Sequence, residues 1–136
     1  MAARASYIFL IHAIAEILAG VVFMLAPELL ETGLDNLYLV RVLGAAMISL
    51  AVPGLTCFHL PEMLPCKRAF ATGCITYHGL VPIITFLAQK DGLVDSKTGG
   101  ATMGVHALLF FGFAVWFKAT EGQAKQFNKA VASKAQ

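Results

Sequence analysis

The sequence predicts an all-α fold, an antiparallel four-helix transmembrane bundle, and three observations carry that prediction. Of its 136 residues 58% are hydrophobic and 13% charged, against roughly 25% charged in an ordinary soluble domain. The mean hydropathy is +0.74. Four apolar stretches are each close to the 20 or so residues an α-helix needs to cross the hydrocarbon core. Lipid offers no partners for backbone groups, so the spanning segments must satisfy their own N–H and C=O groups, which helices do. The low charge excludes an intrinsically disordered chain. A net charge of +2, with no basic stretch interleaved with aromatics, gives no footprint for nucleic acid.

The first span covers about 7–26 and stops at Pro27-Glu28. Read as a secretory signal, it has Arg4 ahead of an apolar run and an A-x-A-like Ala13-Ile14-Ala15,. Cleavage there would leave Ile17 to Ala26, too short to span, and Glu16 interrupts the run, so a retained helix is the better reading. The second span covers about 37–60 and ends before Pro61-Glu62, with Pro53-Gly54 inside it as a kink,. The third covers about 70–89 and carries Pro82 in the same role; the fourth covers about 101–117, opened by Gly99-Gly100 and closed by Lys118,. Residues 120–136 form a polar, Lys-rich tail, expected as a surface helix or a loose end whose Lys125, Lys129 and Lys134 favour anionic lipid,.

Lys and Arg concentrate on cytoplasmic loops and so report orientation. One side carries Arg4, Lys67, Arg68, Lys118, Lys125, Lys129 and Lys134 against Glu62 and Glu121; the other carries Glu28, Glu31, Asp35, Asp91 and Asp95 against Lys90 and Lys97. Both termini are therefore expected in the cytoplasm of a multi-pass membrane protein. Cys57, Cys66 and Cys74 then fall at or near the cytoplasmic second loop, where reducing conditions disfavour disulfides. They read as packing residues or thiols. Their spacing lacks C-x-x-C, and no metal site is assigned to them.

Ionisable residues within spans cost about 2.5 to 3.5 kcal/mol each on insertion scales, so they face an interior and find partners. His12 and Glu16 lie one turn apart on the first helix, with Gly20 continuing their face,. The second helix offers Arg41, Ala45, Ser49 and Thr56 as a small and polar stripe, the third Cys74, His78 and Thr85, and the fourth Thr102 and His106. At a rise of about 1.5 Å per residue, Glu16 sits near mid-depth, while Arg41 and His106 lie within about two turns of the non-cytoplasmic surface. An antiparallel arrangement then allows one network of Glu16, Arg41, His12 and His78, with His106 nearer its mouth. Two uses fit it. A Glu16–Arg41 ion pair with hydrogen-bonded histidines is ordinary interhelical glue. Alternatively, Glu16, His12 and His78 perform acid/base chemistry on a lipophilic small molecule, such as an isoprenoid, sterol-like or aromatic polyketide compound. In that reading Arg41, His106, Ser49 and Thr85 line the site.

A third reading is haem held by His12 and His78, since axial histidines from two helices of a bundle are a recurring solution. A haem needs room and partners for its propionates, and only Gly20, Gly73 and Gly79 offer space. Phe110, Phe111, Phe113, Met47 and Met103 read as lipid-facing and packing surface, and Trp116-Phe117-Lys118 as an interfacial anchor,. No nucleophile elbow, phosphate loop, zinc-protease helix or dinucleotide fingerprint occurs. A non-catalytic role, as an accessory or scaffold subunit of a larger membrane complex or as a homo-oligomer, is the competing class.

The run Leu25-Ala26-Pro27-Glu28, followed after a short loop by Arg41-Val42-Leu43-Gly44-Ala45, resembles the small four-helix membrane proteins of the DoxX-like group. The resemblance covers the first two spans. It implies that Arg41 is a shared polar position at the start of the second helix and Gly44 a helix-contact glycine. The histidines lie outside the pattern, so it implies an architecture and no chemistry.

Overall fold

A computed structural model describes residues 6–29 and 37–134. Arg4, Glu31 and Asp35, which enter the charge asymmetry, lie outside the described residues. Five α-helices are present among those described: α1 (Tyr7–Leu25), α2 (Leu37–His59), α3 (Pro65–Lys90), α4 (Ser96–Ala119) and α5 (Glu121–Lys134), with a 3-10 turn at Pro27–Leu29. The first four are long and apolar enough to cross a membrane. The polarity pattern agrees with a lipid solvent. Leu18, Leu108, Phe111 and Val115 are exposed while His12, Glu16, Lys67 and His78 are buried, the reverse of a water-soluble domain.

The described residues form two compact bodies, one within 9–59 and the other of 60–134 together with 6–8. In the first body α1 and α2 make an antiparallel hairpin, closed at one end by Gly20 against Gly44 and at the other by Gly54 against Phe9 and Ala13. A Cβ added at Gly44 would stand 2.6 Å from the Gly20 carbonyl and 2.7 Å from the Met24 nitrogen. The two backbones thus touch directly, as small residues allow between membrane helices. This contact turns Val40, Gly44, Ala51, Gly54 and Cys57 inward on α2.

That rotation corrects the stripe expected on α2. Arg41, Ala45, Ser49 and Thr56 lie on exposed faces. The hydroxyls need no inward partner, because Ser49 donates to the Ala45 carbonyl at 2.9 Å and Thr56 to the Val52 carbonyl at 3.1 Å,.

In the second body α3 and α4 form another antiparallel hairpin. The chain leaves α3 through a Schellman turn: Gly92 adopts φ +74°, its N–H donates to Gln89 at 3.0 Å and that of Leu93 to Ala88 at 2.9 Å,. Asp95 then caps α4, accepting from the Lys97 and Thr98 amides at 2.9 and 3.0 Å,. Hydrogen bonds from Thr98 hold the Asp95 carboxyl below its ordinary range,. Pro65 at the first helical turn and Asp95 at the cap explain why α3 and α4 begin before the apolar stretches near 70 and 101: caps end a helix, whereas hydropathy marks only its lipid-immersed part,. The tail is helical from Glu121 to Lys134, with Ala124 buried.

Candidate functional site

Each body holds one histidine-containing pair, with a buried histidine, within its candidate spans. In the first body the four-residue spacing on α1 stacks His12 over Glu16. His12 Nε2 lies 3.5 Å from Glu16 Oε1, and both side chains are almost wholly buried. Glu16 Oε2 has no hydrogen-bond partner among the described residues. Gly54 provides the space for the imidazole: a Cβ added there would come to 3.7 Å from His12 Nδ1 and 3.2 Å from the Ala13 methyl. No ion pair joins Glu16 to Arg41 among the described residues, and Arg41 is exposed. The pair expected from sequence therefore does not form. The glycine contact rotates Arg41 away from the interior, and the partner of Glu16 is a neighbour on its own helix.

In the second body His78 on α3 faces His106 on α4, with Nδ1 atoms 2.7 Å apart and ring centroids 4.9 Å apart. A hydrogen bond between two such atoms needs one ring to carry its proton on Nδ1 and the other to accept there. One ring therefore donates from Nδ1 and the other accepts there,. Tyr77 lies edge-on to both imidazoles, at 5.1 Å from His78 and 5.7 Å from His106, and Phe113 stacks at 6.3 Å from His78. His78 is fully buried and His106 half-buried. Thr85 is half-buried on α3 two turns beyond His78, and Ser49 is exposed on α2.

A third polar cluster, at the other end of the α3–α4 hairpin, escaped sequence reasoning. Ser6 donates to Glu62, Lys67 donates to Ser6 at 2.6 Å and to the Leu60 carbonyl at 2.8 Å, and Trp116 Nε1 donates to Glu62 at 2.6 Å. Lys67 Nζ stands 3.4 Å from the same carboxylate and 5.7 Å from the Trp116 ring centroid. Its side chain is entirely buried. The adjacent Arg68 reaches the Phe117 carbonyl and the Thr120 hydroxyl, at 3.3 and 2.9 Å, and lies 3.8 Å over the Phe117 ring. These residues satisfy the end of α4 as basic side chains do at helix C-termini. Lys67, Glu62 and Trp116 look like interfacial residues when read singly. The one available signal was the four-residue step from Lys67 to Ala71, followed by Cys74 and His78, which places the lysine on the buried seam of α3,.

Chemically the pairs differ from the cluster. The Ser6–Glu62–Lys67–Trp116 cluster saturates its own donors and acceptors and so fixes structure. His12–Glu16 and His78–His106 instead set an imidazole on an apolar helix, beside a carboxylate in the first body and beside a second imidazole in the second. Against protein-family models, curated proteins and solved structures, the chain matches none.

Proposed function

We propose that this small multi-pass membrane protein, with both termini on the cytoplasmic side, binds a lipophilic small molecule within the bilayer and exchanges protons with it. The observation that supports this reading best is that both helical hairpins hold a histidine-containing pair with a buried histidine inside their candidate spans. Groups that costly in lipid are retained where they serve a site. An imidazole beside a carboxylate can take a proton from a C–H or O–H of a bound substrate and return it at another atom. Such a transfer is redox-neutral and suits isomerisation or cyclisation. Glu16 with His12 forms the proton-transfer pair, and His78, oriented by His106, is a second acid/base group. The likeness of the first two spans to the DoxX-like group fits the same architecture.

The test compares lipid extracts of cells expressing the full-length protein, Glu16→Gln and His78→Ala at matched membrane abundance. The expected result is a lipophilic compound that changes with the parent protein and not with either variant. Identical extracts from all three would favour the accessory-subunit reading instead. A Soret band in the purified protein, lost in His12→Ala or His78→Ala, would replace proton exchange by haem binding.

A further inference from the structure

The second body carries a groove of about 250 Å3 on the α3–α4 hairpin, lined by His78, Gly79, Pro82, Ala107, Phe110 and Phe111. Its shape follows from the residues. Gly79 leaves the α3 backbone bare, where a Cβ would stand 3.3 Å from the Phe110 ring. Ala107 removes bulk one turn before Phe111, and Pro82 adds a flat ring. Phe110 and Phe111 meet edge to face, their centroids 5.3 Å apart at 81°. Phe111 of the lining is 63% exposed, and Ile83 and Leu108 on the same two helices are 58% and 75% exposed. These side chains belong to spans, so hydrocarbon is the medium at the opening and the occupant arrives from the bilayer.

Size narrows the occupant. An apolar cavity of about 150 Å3 accommodates benzene, so this groove has room for one substituted ring or two fused rings, and too little for a four-ring skeleton. Its walls present flat faces and ring edges, the geometry with which aromatic groups pair. His78 is the lining residue with a polar side chain, and its imidazole is held by His106. We infer that the groove is a binding site for a one- or two-ring aromatic lipophile, its ring against Phe110, Phe111 and Pro82,. This rests on the reading that the protein binds a lipophilic small molecule, and it names where and of what class.

The probe is a fluoronaphthol added to the full-length protein in phosphatidylcholine nanodiscs and followed by fluorine NMR. The expected result is saturable binding above the partition into empty discs, weakened at least about tenfold by Ala107→Phe, which fills the groove. Phe111→Ala, which removes a wall without adding bulk, should weaken it too, and Lys134→Ser should leave it unchanged. Signal that never saturates, equal binding by parent and both groove variants, or displacement by decanol as effective as by unlabelled naphthol would overturn the proposal, the last by identifying an acyl-chain groove. The two readings fail separately. Saturable, groove-dependent binding with no extract difference sinks proton exchange alone. An extract difference lost in Glu16→Gln but kept in Ala107→Phe sinks the groove alone.

Discussion

Glu121 sits between Lys118 at 2.7 Å and Lys125 at 2.6 Å, and the hydrogen bonds from those two ammonium groups hold its carboxyl at about 2, from an ordinary 4.5. A carboxyl depressed on folding contributes stability that is complete above its unfolded value and is lost as pH falls through its folded one. The contribution of Glu121 should therefore fade between pH 4.5 and about 2. Carbon NMR of the carboxyl should show that low midpoint, and Lys125→Gln should move it upward. The three- and four-residue spacings behind this arrangement are visible in the sequence, as is the His12–Glu16 step. Spacing along one helix says nothing of what a second helix presents, so the opposition of His78 to His106 was not legible. For the same reason depth alone allows Arg41 to reach Glu16, and the rotation of α2 that turns it outward is not written in the spacing.

At the scale of the element, that rotation is set by glycines. Gly20 and Gly44 let two backbones meet, whereas a Cβ at Gly73 would meet nothing within 4 Å. The two glycines on α2 and α3 should respond oppositely to alanine. Gly44→Ala must push apart backbone atoms that cannot yield, costing about 1–3 kcal/mol by overpacking. Gly73→Ala fills open space and should gain a few tenths to about 1 kcal/mol from helix propensity. Unfolding of both variants in mixed micelles measures the difference. Four apolar helices and their stop signals were legible because the bilayer imposes length and hydropathy together. Their starts were not, since Pro65 and Asp95 act through backbone geometry in polar segments where hydropathy is silent.

At the scale of the whole molecule, the charge asymmetry of the sequence is an expectation of orientation, and the second body shows that two of those charges also serve packing. Glu62 and Lys67 are buried together against Trp116 and Ser6. Removing one partner of a buried pair strands the other charge. Lys67→Met should thus destabilise the protein by about 3–5 kcal/mol, and Glu62→Gln with Lys67→Met by less than the two single changes summed. A double-mutant cycle on reconstituted protein checks this.

The same cluster has a bearing on biosynthesis. Ser6 is bonded to Glu62 and Lys67, residues 56 and 61 positions downstream, and Glu62 is in turn bonded to Trp116, 54 positions further on. Emerging from the ribosome, the start of the first helix has none of these partners, and the set is complete only when the last span has been made. The start of the first helix is thus among the last parts to lock, and a translation product stopped before Trp116 leaves the Glu62 carboxylate without one of its donors.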